Sequence, residues 1–217
     1  MIELEAFQVY YIANVLCRIC RCLVIMRVGI LLFDDVEELD FAGPLEVFGA
    51  AGSFTGQIEI VTISRHGSQI RCRYGLQVQP NCSFSDCPPL DLLIVPGGRG
   101  AHEVKNDSET VSFLRQQSSR AQIVSVCTGA LILAEAGILA GHRATTHHSL
   151  IESLRRYPNI QVLPEVRYTR EERVSTSAGI SAGMDLALAI VRDFFGNRIE
   201  TQVMELMEYE PGKPRDR

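Results

Sequence analysis

From Met26 onward the chain alternates short apolar runs with longer segments of helical period. Val28 to Phe33 reads as a first strand, and Leu45 to Ala51 belongs to a first helix. Ile58 to Ser64 alternates apolar and polar positions as a second strand, after which Gly67 and Gly75 bracket a hairpin. Leu90-Asp91-Leu92-Leu93-Ile94-Val95 is a central strand, and it runs into Pro96-Gly97-Gly98-Arg99-Gly100, a turn too rich in glycine for regular structure. Asp107-Ser108-Glu109 starts a helix that carries Val111, Phe113 and Leu114 inward, and Gln122 to Val126 forms the next strand. Arg143 to Thr146 and Arg173 to Thr176 read as further short strands. Ser181 to Asp185 opens a long helix through Leu186, Ala189, Ile190 and Phe194, and Ile199 to Tyr209 forms a last one, ended by Pro211 and Pro214. This alternation predicts an α/β sandwich with a central, mostly parallel sheet covered by helices on both faces.

Cys127 stands at the sharpest change of pattern. It ends the β-branched run Ile123-Val124-Ser125-Val126 and is followed by the helix-forming stretch Thr128-Gly129-Ala130-Leu131-Ile132-Leu133-Ala134. A residue on that elbow lies at the carboxyl edge of a parallel sheet, where open α/β folds place their ligand crevices. Free N–H groups at the helix start favour a thiolate there, and Thr128 adds a hydroxyl beside the sulfur. The pattern leaves two roles open, a nucleophile or a buried small hydrophobe, the commoner fate of a free cysteine.

Asp40 occupies a second crevice position, after the first strand and before the first helix, between Leu39 and Phe41. Apolar flanks desolvate a carboxylate, raise its pKa and suit it to exchanging a proton near neutral pH. An aspartate capping the amides near the Pro44 helix start is the more frequent use of such a position. The glycines of Pro96 to Gly100 offer backbone N–H groups able to hold developing negative charge beside Cys127, or form only a tight turn. Adjacent histidines in an extended segment face apart, so at most one of His147 and His148 enters the crevice, in a supporting role. Gly97, Gly98 and His147 are thus candidate substrate-binding residues, while Cys72, Cys82 and Cys87 read as plain thiols.

Composition narrows the classes. A chain of 217 residues with net charge -5 and interspersed charges has room for a full core but no basic stripe for nucleic acid. Seven cysteines, an odd number without a secretory signal, fit a reducing cytoplasm. The first 25 residues differ from the rest: an acidic start precedes an apolar stretch holding Arg18, Arg21, Cys17, Cys20 and Cys22. The arginines interrupt any membrane span, and no matching ligand pair follows the cysteines at a finger-like spacing. Residues 1–25 are read as an N-terminal extension, with translation beginning at Met26 as one explanation, and residues 26–217 as one domain.

Four segments, Leu39-Asp40-Phe41-Ala42-Gly43-Pro44, Val95-Pro96-Gly97-Gly98, Val126-Cys127-Thr128-Gly129-Ala130 and Arg143-Ala144-Thr145-Thr146-His147, together resemble the ThiJ/PfpI superfamily of class I glutamine-amidotransferase-like proteins. Its isonitrile hydratase branch and the amidotransferase-like sensor half of AraC-type regulators are the most similar. The resemblance spans about Met26 to Tyr209 and implies a flavodoxin-like sandwich, a nucleophile at Cys127, a carboxylic acid at Asp40 within reach of the sulfur, and Thr128 lining the same pocket. It implies hydration of an isonitrile to an N-substituted formamide through a covalent thioimidate, without metal, nicotinamide or flavin, in a homodimer; charge and hydropathy add the expectation of neither nucleic-acid nor membrane partners. Protease-like members carry a histidine where Thr128 stands, and many stress-related members carry a glutamate in place of Asp40. Both differences point away from proteolysis and from glyoxalase-like or redox roles. Arg99 and His148 depart from the hydratase pattern and bear on substrate identity. A DNA-binding regulator would continue roughly 100 residues past Tyr209 with helix-turn-helix units, whereas this sequence ends soon after Pro211.

Overall fold

The structure, a computed structural model, describes residues 26–212. The readings of residues 1–25 as an extension, and of their cysteines, lie outside the described residues. The chain folds in the order β1 (Met26–Leu31), α1 (Glu38–Thr55), β2 (Ile58–Ser64), β3 (Ile70–Arg71), β4 (Gln77–Val78), β5 (Cys82–Ser83), β6 (Leu92–Val95), α2 (Ala101–Val104), α3 (Ser108–Ser118), β7 (Gln122–Val126) and α4 (Gly129–Glu135). It continues through β8 (Arg143–Ala144), a 3-10 turn (His148–Leu150), α5 (Ile151–Leu154), β9 (Gln161–Val162), β10 (Tyr168–Arg170), β11 (Val174–Ser177), α6 (Ala182–Phe195) and α7 (Asn197–Leu206).

Seven strands make one sheet in the order β10-β11-β7-β6-β1-β2-β5. All its pairings are parallel except β10 with β11. Helices α1, α6 and α7 cover one face, and α2, α3, α4 and α5 the other. Every residue of β6 is buried, and so is all of β7 except Gln122. That two-sided burial explains why these strands are unbroken apolar runs rather than alternating ones. Strand order reverses between β1 and β6, so the loops leaving them diverge and a crevice opens at their carboxyl ends. The loop after β1, the glycine turn after β6 and the elbow after β7 all meet there.

The hairpin is present as the pair β3–β4, with Gly67 before it and Gly75, at φ 99°, inside its turn rather than beyond it. Several elements differ from the sequence reading. Strands β5 and β9 and helices α2 and α5, of two to four residues, were unread because so short a segment shows no period. Helix α1 starts at Glu38, well before Leu45, so Pro44 lies inside the helix and Asp40 in its first turn. Proline favours a helix start, which is why Pro44 suggested one; here its missing N–H only leaves the Asp40 carbonyl without the usual i+4 donor. Strand β10 went unread because only Thr169 of its three residues is buried, so no apolar run marks it.

Strand β11 is Val-Ser-Thr-Ser and wholly buried, and the hydroxyls of Thr176 and Ser177 are spent on neighbouring segments. Ser177 Oγ donates to the Ser125 carbonyl at 3.2 Å, and Thr176 Oγ1 accepts the Thr145 N–H at 2.7 Å. These bonds hold the Thr145–His147 segment against the sheet edge beside the elbow.

Candidate active site

Cys127 sits where β7 turns into α4, with a left-handed backbone at φ 55°. A non-glycine residue there is strained by about 1–3 kcal/mol and persists only where its surroundings fix it. They do. The Cys127 N–H donates to the carbonyls of Ser177 at 3.2 Å and Ala178 at 3.0 Å. Its own carbonyl accepts Thr146 Oγ1 at 2.7 Å. Gly129 lets the elbow close onto β6: a Cβ there would stand 2.1 Å from the Val95 carbonyl oxygen. The cysteine is 6% exposed, and its sulfur lies 3.6 Å from Thr128 Oγ1.

Asp40 reaches the same point from α1 and is fully buried. Its Oδ2 accepts the Gly97 N–H at 2.9 Å, while Oδ1 is buried without a hydrogen bond among the described residues. The Cys127 thiol acts on this carboxyl group from the facing element. Burial pushes the Asp40 pKa up to about 7; the Gly97 N–H opposes the rise, Glu37 adds to it, and the thiol and Arg73 oppose it. A proton-exchanging carboxyl group near neutrality is what the apolar flanks of Asp40 suggested.

The thiolate expected at the elbow is not the resting form. Burial first, and then the charge of Asp40, push the Cys127 thiol up to about 11. Thr128 Oγ1 and the backbone N–H groups of Ile180 and Thr128 act the other way and are outweighed. Desolvation of a nearly enclosed sulfur exceeds what the start of a helix as short as α4 returns.

The other expected residues fall around this pair at different distances from the chemistry. Thr128 is buried against the sulfur. Gly97 is needed for close approach, since a Cβ would stand 2.5 Å from Thr128 N and 2.9 Å from Asp40 Oδ2. Its N–H is committed to Asp40, which leaves Gly98 and Thr128 as the expected amides without that commitment. Gly98, at φ 123°, packs its backbone on Glu37 and Asp35. His147 is half-buried with its ring against Gly179, next to Ile180. Arg99 and His148 are exposed. Cys72 is buried, Cys82 and Cys87 are half-buried, and all three are free thiols.

Four residues of the site were given no role in the sequence reading. Ile180 contributes a backbone N–H from a strained position at φ 22°, and no side-chain pattern could reveal an amide that any residue supplies. Thr146 acts through the Cys127 carbonyl. Glu37 and Arg73 form an ion pair beside Asp40, but 36 residues of chain separate them. The run of acids Glu37-Glu38-Leu39-Asp40 was the one available hint.

Fold and site together define an α/β protein with a cysteine on a strained strand-to-helix elbow, set against a buried carboxylic acid at the crevice where strand order reverses. The chain belongs to the DJ-1/PfpI family, whose sequence pattern matches residues 26–193. It is 35% identical over 193 residues to the isonitrile hydratase of Pseudomonas putida, covering 88% of this chain and 82% of that one. It is 28% identical over 188 residues to the HTH-type transcriptional regulator GbdR of Pseudomonas aeruginosa, which takes in 84% of this chain but 50% of the regulator. Among solved structures, a ThiJ/PfpI family protein from Pseudomonas syringae superposes with a TM-score of 0.79 at 30% identity, over 88% of this chain and 78% of the other.

Proposed function

We propose that this protein hydrates small isonitriles to N-substituted formamides, with Cys127 as nucleophile and Asp40 as the single proton carrier. The observation that supports the reading best is the Asp40 carboxyl group, with one oxygen anchored by Gly97 and the other buried without a hydrogen bond, facing the Cys127 thiol. The 35% identity with an isonitrile hydratase over most of both chains supports the choice of substrate class.

In the first step the sulfur attacks the terminal carbon of R–N≡C. An S–C bond forms, the S–H bond breaks, and Asp40 Oδ1 takes the proton. Asp40 then returns that proton to the same carbon, giving the thioimidate R–N=CH–S–Cys127. Next a water oxygen bonds to the thioimidate carbon, one of the water's protons passing to Asp40 and the other to the imidate nitrogen. The C–S bond breaks, R–NH–CHO leaves, and Asp40 reprotonates the sulfur. One water is consumed and the enzyme returns unchanged. Thr128 Oγ1, with the N–H groups of Thr128 and Ile180, stabilises charge as it passes through sulfur. Gly98 and His147 line the space for R.

A second reading is a ligand-sensing domain, favoured by the likeness to GbdR across 84% of this chain. A redox-protective role is less well served, because a thiol held near 11 offers little thiolate to oxidants. The proposal includes a homodimer, supported by exposed Leu39, Phe54, Phe194 and Leu206 on the three helices of one layer. Its mass in solution tests that part. Formamide formation from an alkyl or aryl isonitrile by purified protein tests the chemistry, and absence of product across a small panel sinks it in favour of the sensor.

A further inference from the structure

Glu37 immediately precedes α1 and lies one helical turn before Asp40, so the two carboxylates share a face. Its side chain is nearly buried and pairs with Arg73 Nη1 at 2.5 Å, while the arginine side chain is about half exposed. The backbone ties the three residues into one unit. The Glu37 N–H donates to the Gly97 carbonyl, the Gly97 N–H donates to Asp40 Oδ2, and the Arg73 N–H donates to the Val36 carbonyl. Arg73 stands on the turn of the β3–β4 hairpin, so the pair joins that hairpin to the start of the helix that carries Asp40. The charged or titratable groups that act on Asp40 are Glu37 from its own helix start, Cys127 from the elbow and Arg73 from the hairpin. Arg73 also acts on Cys127.

We infer that the Glu37–Arg73 pair is a positioning device that holds Asp40 at the edge between its acid and carboxylate forms, each member pulling the opposite way. It rests on the proton-carrying role given to Asp40 above. Glu37 alone disfavours a second negative charge one turn away; Arg73 masks most of that charge and keeps Asp40 able to ionise. An ion pair present only for stability would make either substitution weaken the fold in the same sense. A pair that sets the proton balance makes the two substitutions move Asp40 in opposite directions.

The test is a titration of the Asp40 side-chain carboxyl by 13C NMR, assigned with Asp40→Asn, in wild type, Glu37→Gln, Arg73→Met and the double variant. Glu37→Gln should lower the midpoint and Arg73→Met should raise it, each by roughly one pH unit, as one nearby charge in a partly screened site would do. The double variant should return close to wild type, because both charges leave together. Glu37→Gln leaves only a half-exposed arginine unpaired, so it decides the matter even where Arg73→Met does not fold. A midpoint that stays put or rises in Glu37→Gln overturns the inference, as do two single variants moving in the same direction. The acid limb of kcat/KM should follow the same shifts. Unmoved NMR midpoints in protein that still makes formamide overturn this inference alone; opposite midpoint shifts in protein that makes none overturn the hydratase reading alone.

Discussion

Asp40 and Cys127 each keep a proton longer than they would in water, because both are buried; the Asp40 charge adds to the rise at the thiol, while the thiol only partly opposes the rise at Asp40. A coupled pair loses its protons in two steps that belong to the pair. With steps near 7 and near 11, the form holding one proton dominates between them, and that form can move a proton from sulfur to carbon. The pH profile of kcat/KM should therefore be a bell with limbs near those two values; a flat profile from pH 5 to 9 contradicts the shared-proton scheme. The same burial has a sign for stability. The folded-state pKa of Asp40 lies above its ordinary 3.8, so folding binds the proton more tightly and the ionised group opposes folding. That opposition is absent below about 3.8, grows with pH, and is complete above about 7. A rise from 3.8 to about 7 corresponds to a ceiling of roughly 4 kcal/mol. Asp40→Asn keeps an acceptor for the Gly97 N–H, so it should melt higher than wild type at pH 8, lose that advantage near pH 4, and lose activity throughout. A lower melting temperature at pH 8 would mean the carboxylate serves the fold.

At the scale of elements, the site is made by three loop-to-helix junctions at one sheet edge, and each is closed by backbone contact. The elbow depends on Thr146, whose hydroxyl holds the Cys127 carbonyl from beyond β8. Thr146→Val should leave that carbonyl unpaired, cost about 1–3 kcal/mol, and let the strained cysteine relax. We expect kcat/KM per folded molecule to drop about tenfold or more, since loosened geometry acts on the barrier directly. An unchanged kcat/KM with only a lower melting temperature would make Thr146 structural. Most of these junctions were legible in the sequence. The switch from a β-branched run to Ala and Leu placed the elbow at Cys127, and the glycines marked the turn after β6. The start of α1 was not legible, because Pro44 mimics a helix start that the chain had made nearly two turns earlier. Strand β10 was hidden because an edge strand needs no apolar run.

Across the whole molecule, the two-faced sheet was legible because parallel strands buried on both sides leave continuous apolar runs. What could not be read were contacts between residues distant in sequence, such as Glu37 with Arg73, or Asp185 with the C-terminal segment. Asp185 is buried in the first turn of α6 and pairs with Arg167. It also accepts hydrogen bonds from Tyr209 OH at 2.7 Å and the Gly212 N–H at 3.2 Å. This cluster ties the end of the described chain back to the layer that carries Asp40, but it touches none of the reacting groups. Tyr209→Phe removes one charge-assisted hydrogen bond, worth about 1.5–3 kcal/mol. It should lower the melting temperature by several degrees, as expected for a domain of this size, with kcat/KM unchanged. A fall in kcat/KM without a fall in stability would place the C-terminal segment in the chemistry instead.

The most direct test is formamide production from a simple isonitrile by wild type, Cys127→Ser and Asp40→Asn, each shown to be folded at the assay temperature. The proposed mechanism predicts turnover by wild type and its loss in both variants, because one supplies the sulfur and the other carries the proton. Wild-type turnover that survives in either folded variant, or no turnover by any of the three, contradicts it.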